Sequence, residues 1–404
     1  MSPTVLMVSW RDTRNPEGGG SERYIERIAA GLAARGYRVT IRSRRFPGAP
    51  RREVVDGVRF VRRGNRYTVY LWALLTLLVS RHDVVVDVQN GLPFFSRLAT
   101  RRPVVLLVHH LHQQQWGSWF GPVLGRIGWW VESRVAPWVY RRCPYITVSE
   151  HTRAELTGLG VAAERITVVP NGFDPIPPVS AVPDAQPLLV AISRLVPHKR
   201  LEHAVEAVAR LHHRYPGLHL SIIGRGLSLD PLRRLAAQRG VADRVRLHGW
   251  LDEAEKHEIL ARSWVHLCPS LKEGWGISVM EAAAHGVATV AYQSAGGVCE
   301  SVRHGTTGLL AGTGPDGDSL DEFVAHVDRL LGDARLRAAM GEAGRAHARA
   351  FDWERSVESF EEVICRAAAR EPVHRPVRAP TPRTGAPLAV PRQRRPESAS
   401  ATQR

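Results

Sequence analysis

Short apolar runs alternate with amphipathic stretches along most of the chain. In the first half, runs with the length and composition of buried strands occur at residues 4–9, 39–43, 58–62, 83–88 and 103–108. Apolar spacing predicts helices at residues 22–35 and 67–80. Because strands that alternate with helices form parallel sheets, the pattern predicts an α/β fold.

The same alternation resumes after residues 175–187, a proline-rich stretch without an apolar period that we interpret as an interdomain linker. Further strands are predicted at residues 188–193, 218–223, 245–248, 264–269 and 287–292. The last part of the chain is rich in Pro, Arg, Ala and Ser, a composition typical of disorder. The sequence therefore predicts two domains at residues 1–178 and 187–350, a C-terminal helix at 351–369 and a basic, disordered tail at 370–404.

One motif of the second domain combines acidic residues, glycines and a helix start. Glu273 and Glu281 are separated by seven residues, and a helix is predicted from about Ile277. Glycines let backbone approach a ligand closely, and free N–H groups at a helix start attract anions. A pyrophosphate bound near Gly276 is one interpretation. In the other, Ser278 and Glu281 form a capping box and only close the helix.

Other loops that follow predicted strands carry glycines or cations. Residues 18–20 form a triple glycine before a helix, and Gly224 ends the strand at 218–223. Arg194 and Lys199 follow the strand at the start of the second domain, where arginine can bind a pyrophosphate as a fork and lysine as a point charge. Flexible surface loops and ordinary surface charge are the alternatives for these loops.

Two histidines, His109 and His110, follow the strand at residues 103–108. Ligands of open α/β sheets bind beyond the carboxyl ends of strands, which makes this position a candidate site. A structural role is the commoner one for a histidine, and the adjacent pair leaves open which of the two faces the ligand.

The motif from Glu273 to Glu281 resembles the E-x7-E element of retaining glycosyltransferases of family 4, the group 1 type, and the resemblance covers about residues 1–366. It implies the GT-B fold, in which two Rossmann-like domains face a cleft, with the acceptor on the first and the nucleotide-sugar donor on the second. It implies catalytic roles for His109, Glu273, Lys199 and Arg194. It implies donor contacts from Gly19, Gly20, Arg194, Lys199, Gly224, Trp250, Leu251, Glu273, Trp275, Gly276, Ile277 and Glu281.

The resemblance also implies transfer with retention of the anomeric configuration and without a metal clamp. The nucleotide-sugar is then a co-substrate, and no separate cofactor is expected. The triplet Asp316-Gly317-Asp318 matches a metal-binding pattern, but it lies in a turn where Asp and Gly are ordinary residues. We therefore predict no metal site.

Charge and aromatic residues narrow the choice of partners. The formal net charge of +16 favours nucleotide phosphates, anionic lipid or nucleic acid. Residues 113–140 contain arginines and six large aromatic residues: Trp116, Trp119, Phe120, Trp129, Trp130 and Trp138. This combination is typical of a membrane interface. The alternative is that the aromatic rings are buried in a core. No recognition element indicates nucleic acid. The expected partners are a nucleotide-sugar donor, a sugar, lipid or lipid-linked acceptor, and an anionic membrane surface.

The four cysteines are scattered without metal spacing, which is typical of reduced thiols in a cytoplasmic protein. No secretory leader is visible, and the longest apolar run, residues 69–79, is about half the length of a membrane span. We expect a cytoplasmic protein that associates peripherally with the inner face of the plasma membrane.

The sequence thus predicts an enzyme that moves a hexose to a hydroxyl acceptor, either lipid-linked or a precursor of a cell-surface glycan. One alternative is a GT-B sugar-nucleotide epimerase, which would change donors in the absence of an acceptor. The other is a catalytically inactive peripheral membrane protein that binds nucleotides. A dehydrogenase is disfavoured because the first glycine loop is not G-x-G-x-x-G.

Overall fold

The computed structural model describes residues 2–314 and 317–369, which form two β-sheets flanked by helices. The first sheet contains β1 (Thr4–Val8), β2 (Arg38–Ser43), β3 (Arg52–Val55), β4 (Val58–Arg62), β5 (Val84–Gln89), β6 (Val104–Val108), β7 (Tyr145–Thr147) and β8 (Ile166–Val168). Their order is β3-β4-β2-β1-β5-β6-β7-β8, and only β3 runs antiparallel to its neighbour. The predicted α/β alternation is confirmed. The short edge strand β3 was not predicted because it lies in an arginine-rich stretch without an apolar run.

The second sheet follows the proline-rich stretch at residues 175–187. It contains β9 (Leu188–Ile192), β10 (His219–Ile223), β11 (Val245–Gly249), β12 (Val265–Cys268), β13 (Ala288–Tyr292) and β14 (Gly308–Ala311). The strands are all parallel, in the order β11-β10-β9-β12-β13-β14. A small hairpin follows, made of β15 (Thr313–Gly314) and β16 (Gly317–Asp318).

Helices connect the strands in both halves. Those of the first half are α1 (Gly20–Ala34), α2 (Val69–Val79), α3 (Ser96–Ala99), α4 (Gln113–Trp130), α5 (Ala136–Val139) and α6 (Glu150–Gly158). Those of the second half are α7 (Glu202–Leu211), α8 (Leu229–Gln238), α9 (Glu253–Arg262), α10 (Ile277–Ala284), α11 (Val298–Ser301), α12 (Leu320–Gly332), α13 (Ala334–Ala348) and α14 (Trp353–Ala369).

Both faces of the first sheet are covered, so its central strands are apolar on both sides. Helix α2 covers one face and α1 covers the other. The last helix, α14, packs against α1 so closely that a Cβ added to Gly31 would lie 2.3 Å from Val357 Cγ2. The last described helix therefore returns from the second sheet and packs on the helices of the first.

The tryptophan-rich segment is divided between core and surface. Helix α4 is interrupted at Gly121, whose φ of +75° lies in the region that favours glycine. Trp116 is only 8% exposed, and its indole N–H donates to the buried Glu132 carboxylate at 2.7 Å. Trp130 and Trp138 are instead 59% and 63% exposed. The core interpretation therefore holds for Trp116, whereas the other two rings remain open to a partner.

The side chain of Trp119 and the predicted basic tail at residues 370–404 lie outside the described part of the chain. Asp316, the first aspartate of the D-x-D triplet, lies outside it as well. No helix within residues 2–314 and 317–369 has both the length and the apolar character needed to cross a membrane.

Candidate active site between the two sheets

Lys199 and Glu273 meet beyond the carboxyl ends of the neighbouring strands β9 and β12. The Lys199 ammonium donates a hydrogen bond to Glu273 Oε1, and Ser270 Oγ donates to the same oxygen at 2.8 Å. Burial raises the pKa of Glu273, but the Lys199 charge and both hydrogen bonds outweigh burial and leave the pKa below its ordinary value. Glu273 is therefore a carboxylate at neutral pH and can accept hydrogen bonds from hydroxyl groups.

The helix after Glu273 begins where it was predicted to begin. Its first residue is Ile277, and the preceding Gly276 has a φ of +98°, which favours glycine. Ser278 lies inside the helix, and the described helix start has no side-chain cap. The capping-box interpretation of Ser278 and Glu281 is therefore wrong. The first N–H groups of α10 have no side-chain acceptor at this end and suit an anion.

The glycine loop of the first sheet faces this helix start. A Cβ added to Gly19 would lie 3.3 Å from Arg194 Nε, and one added to Gly20 would lie 3.1 Å from Ile277 Cδ1. The Glu22 carboxylate holds the loop by accepting the Gly19 N–H at 2.8 Å. The helix starts of α1 and α10 and the Arg194 guanidinium therefore border the same space.

Arg194 is a cation without an acidic partner in this space. Burial and the charge of Arg11 lower its pKa, and the nearby carboxylates of Glu22 and Glu273 oppose that change. Neither carboxylate is within ion-pair distance of the guanidinium. No other carboxylate within residues 2–314 and 317–369 forms an ion pair with Arg194 either. The guanidinium is thus available to an anionic ligand.

His109 contacts the second half of the chain at Gly274. Its carbonyl oxygen would be 2.5 Å from a Cβ added to Gly274, so only glycine fits opposite it. The imidazole packs edge-on against Tyr24 at 5.2 Å, and its Nε2 is buried without a hydrogen-bond partner within the described residues. Burial lowers the pKa of His109 to about 4. The ring is therefore neutral and has one polar atom to offer a ligand.

The neighbouring His110 lies closer to the cations of the second half. Burial lowers its pKa well below the ordinary value, and Lys199 and Lys272 lower it further. Its ring lies 4.3 Å from that of His112, whose Nδ1 is 3.0 Å from the Glu132 carboxylate. The two histidines therefore have different surroundings, since His109 packs against Tyr24 and His110 feels the charges of Lys199 and Lys272.

Glu281, the second acidic residue of the motif, lies one turn into α10. Lys256 Nζ donates to its Oε1 at 2.9 Å, and an Arg23 nitrogen is 3.7 Å from the same oxygen. The carboxylates of Glu281 and Glu253 and the His257 ring could together hold a metal by distance alone. However, Lys256 and Arg23 already neutralise both acids. Glu281 can bind a ribose hydroxyl through lone pairs that these cations leave open.

The remaining donor positions divide into backbone and side-chain contacts. Gly224 has a φ of +147°, and an added Cβ would be 1.8 Å from Ser193 O, so the turn requires glycine. Trp250 is 64% exposed, whereas Leu251 is partly buried in a small core cluster. The Trp275 side chain is buried against Phe351 with ring centroids 4.9 Å apart. The predicted donor contact of Trp275 is therefore restricted to its backbone.

The Glu300 carboxylate of the second half forms hydrogen bonds with the first half. Glu300 accepts the N–H groups of Glu150 at 2.9 Å and His151 at 2.7 Å, at the start of α6. Ser149 caps the same helix by accepting the Thr152 N–H at 3.2 Å. The start of α6 is thus fixed to the second half by hydrogen bonds.

Arg200, the residue after Lys199, joins the two loops that carry the site. Its Nε donates to Pro269 O at 2.9 Å and its Nη2 to Ser270 O at 3.2 Å. The same nitrogen is 2.7 Å from a carboxylate oxygen of Asp318, the last residue of the D-x-D triplet. With a φ of +47°, Arg200 adopts a backbone conformation rare for residues with side chains. These contacts compensate for the strain and make Arg200 a positioning residue.

We expect Arg200→Ala to lower kcat about 10- to 100-fold, because small displacements of a catalytic group have effects of this size. Arg200→Lys should restore little, since lysine cannot bond two carbonyls and a carboxylate as a fork. Steady-state rates and the thermal midpoint Tm should be measured together. Arg233→Ala, which removes an exposed ion pair, is the matched control and should leave both unchanged. Wild-type kcat in Arg200→Ala would contradict the positioning role.

Comparisons with known proteins agree with this arrangement. Residues 18–176 match the model of Glycosyltransferase Family 4, and residues 173–347 match that of Glycosyl transferases group 1. The chain is 36% identical over 216 residues to a GDP-mannose-dependent alpha-(1-6)-phosphatidylinositol monomannoside mannosyltransferase of Mycobacterium tuberculosis. That match covers 49% of this chain and 55% of the relative, so the chain spans about half the length of that relative.

A second relative is matched over more of its length. The MMP alpha-(1->4)-mannosyltransferase of Mycolicibacterium hassiacum is 30% identical over 315 residues, which are 71% of this chain and 72% of the relative. Among solved structures, sucrose-phosphate synthase from Thermosynechococcus elongatus superposes with a TM-score of 0.74 at 18% identity, covering 91% of this chain and all of that one. HepE of Anabaena with UDP and glucose gives a TM-score of 0.69 at 18% identity, covering 89% and 99%.

The similar solved structures show the fold, and the sequence matches show the family. Together with the paired parallel sheets, they confirm the predicted GT-B architecture. The chain belongs to the group 1, family 4 type of glycosyltransferases.

Proposed function

We propose that this protein transfers a hexose from a nucleotide-sugar to a hydroxyl acceptor, with retention of the anomeric configuration and without a metal. The observation that carries the proposal is the Lys199–Glu273 pair, set between Arg194 and the start of α10. Cations and free N–H groups suit a diphosphate, and a carboxylate beside them suits sugar hydroxyls. In this proposal residues 187–350 bind the donor and residues 1–178 the acceptor.

The proposed chemistry is charge stabilisation and alignment. As the bond between the anomeric carbon and the diphosphate oxygen breaks, negative charge grows on the diphosphate. Arg194, Lys199 and the start of α10 would stabilise that charge. Glu273 and the neutral His109 would hold sugar hydroxyls. The acceptor oxygen bonds to the anomeric carbon on the same face, and its proton passes to a donor phosphate oxygen. No side chain is assigned as the general base.

The relatives suggest which donor to test first. One is described as GDP-mannose-dependent, and both sequence relatives reported above are mannosyltransferases. We therefore propose GDP-mannose as the first donor to test, with UDP-glucose as the comparison, since a structural neighbour binds UDP and glucose.

A donor panel tests the proposal. Thermal shifts with GDP-, UDP- and ADP-sugars should show one nucleotide that stabilises the protein, because a ligand of the native state raises Tm. Transfer from that donor to candidate glycolipid and sugar acceptors, with the product anomer read by NMR, should show retention. The rate should survive EDTA. Epimerised donor without an acceptor would support the epimerase, and nucleotide binding without turnover would support the inactive alternative.

We further propose that the acceptor is reached at an anionic membrane surface on the inner face of the plasma membrane. Exposed apolar side chains lie on α2 and on α4, two helices that pack on the same core cluster, and we refer to these side chains together as the apolar ridge. Its members are between 43% and 70% exposed: Leu71, Leu75, Leu78, Val123, Leu124 and Ile127. Exposed apolar side chains among arginines are typical of helices that lie in a membrane interface.

Sedimentation with vesicles tests this surface. We expect the protein to bind vesicles of 30% phosphatidylglycerol in phosphatidylcholine and to bind pure phosphatidylcholine more weakly. Leu78→Glu with Ile127→Glu should weaken binding at least about tenfold, because two partly inserted apolar side chains are lost. Val182→Glu changes a residue that is 73% exposed in the linker and is the matched control. Equal binding by all three proteins would contradict the ridge assignment.

A further inference from the structure

A buried arginine on the first sheet has no counterion in the part of the chain that the structure describes. Arg42, on β2, is only 4% exposed, and its Nε and Nη2 are buried without a hydrogen-bond partner. It forms no ion pair with any carboxylate within residues 2–314 and 317–369. A buried charge without a partner is strongly destabilising, so proteins rarely keep one unless a ligand or another group compensates for it.

The surroundings of Arg42 add positive charge. Burial lowers the pKa of Arg42 to about 10, and the charge of Arg63 lowers it further. The neighbouring carboxylates are already bound: Asp12 and Glu53 pair with Arg62 on the other face of the sheet. Within residues 2–314 and 317–369, two guanidinium groups lie here and neither forms an ion pair with a carboxylate.

The strand register shows that these groups form one surface. Arg42 is paired with Val8 of β1 and with Val61 of β4, so Arg63, two residues beyond Val61, extends from the same face. The Arg63 guanidinium lies 4.3 Å above the Trp72 ring of α2. The surface therefore lies at the carboxyl ends of three strands, under the first turn of α2.

This surface borders the donor site through a short chain of contacts. Trp10 follows β1 and lies 4.7 Å beneath the Arg44 guanidinium. The next residue, Arg11, donates to Glu22 at 3.2 Å, and Glu22 holds the glycine loop that faces Arg194. Because the Ser9 N–H donates to Arg42 O at 2.9 Å, the loop after β1 connects the Arg42 end of β2 to the glycine loop of the candidate site.

We propose that Arg42 and Arg63 form a binding site for a phosphate group and, resting on the proposed function, that this phosphate belongs to the acceptor. Guanidinium groups bind phosphate oxygens as forks and are the preferred side chains for that group. A phosphate on Arg42 would supply the missing counterion, and α2 with Trp72 would form the wall of the site. The phosphate can come from a lipid headgroup or from a soluble phosphorylated acceptor.

The first test measures phosphate binding without any turnover. At inorganic phosphate about 100 times its Kd, the Tm of the wild-type protein should rise by about 3 °C over chloride of equal ionic strength. Arg42→Met should lose that rise and should raise Tm in phosphate-free buffer, because it removes an uncompensated buried charge. Arg38→Met removes an exposed charge at the opposite end of the same strand and should keep the wild-type response.

Two further variants make the test decisive. Lys199→Ala disables the proposed donor site and should keep the phosphate response, which excludes phosphate bound there. The exposed Arg63→Met can replace Arg42→Met if the latter does not fold, and should weaken phosphate binding about tenfold. A phosphate response in Arg42→Met or Arg63→Met equal to that of Arg38→Met would overturn the proposal, whether or not the protein transfers a sugar.

Vesicles distinguish the two sources of the phosphate. If the ligand is a lipid headgroup, Arg42→Met should bind vesicles of 30% phosphatidylglycerol about tenfold more weakly than Arg38→Met does. If the ligand is a soluble phosphorylated acceptor, the two variants should bind vesicles equally while only Arg42→Met loses the response to inorganic phosphate. Both results support a phosphate site. If Arg42→Met keeps both its vesicle binding and its response to inorganic phosphate, the proposal is overturned.

Discussion

Replacing Lys199 with alanine is expected to lower kcat about 10²–10³-fold, because removing one preorganised charge from a developing anion has effects of this size. In the present structure, the ammonium is bound to Glu273. In the proposed reaction it also stabilises the departing diphosphate. Initial rates with saturating donor and acceptor measure the effect, and the KM of the donor should change less than kcat.

The matching change in its partner is Glu273→Gln, which keeps the shape of the side chain and removes its charge. We expect a loss of about 10- to 100-fold in kcat. Since the two residues act as a pair, the double variant should lose much less than the product of the single effects. Arg210→Ala breaks an exposed ion pair of the same half and should be neutral. Full rates in both single variants would contradict the site assignment.

The sequence predicted the loops of the site because chain order and strand direction determine where they lie. Loops that follow parallel strands lie at the same edge of the sheet. The sequence alone therefore placed Arg194, Lys199 and the start of α10 close together. Gly276, directly before the predicted helix, also indicated a helix start with free N–H groups. In the structure, α10 starts after this glycine of positive φ without a side-chain cap, which leaves its first N–H groups free.

Side-chain direction could not be predicted in the same way. Trp275 belongs to the motif, yet its ring points into the core against Phe351, a contact between residues far apart in sequence. His109 and His110 are adjacent residues of the same type, and the groups around them in the folded chain decide their environments. Arg42 lay in an arginine-rich stretch where the sequence could not distinguish a buried, unpaired guanidinium from exposed ones.

The approach of the two sheets at Gly274 leads to the second large effect. A Cβ on Gly274 would lie 2.5 Å from His109 O, a backbone atom that cannot rotate away. Gly274→Ala should therefore push the Glu273 loop away from the end of β6 and lower kcat/KM about 100-fold, because alignment across the cleft is lost. The core of each sheet is formed by other residues, so Tm should change much less than activity.

Gly158→Ala is the matched control, because a Cβ there meets no atom within 4 Å and the backbone is not in the left-handed region. It should leave kcat/KM and Tm unchanged. The radius of gyration from X-ray scattering, measured with and without donor, gives a second readout. Gly274→Ala should remain more extended than wild type when donor is present. Wild-type kcat/KM in Gly274→Ala would show that the chemistry does not require His109 and the Glu273 loop to meet in this way.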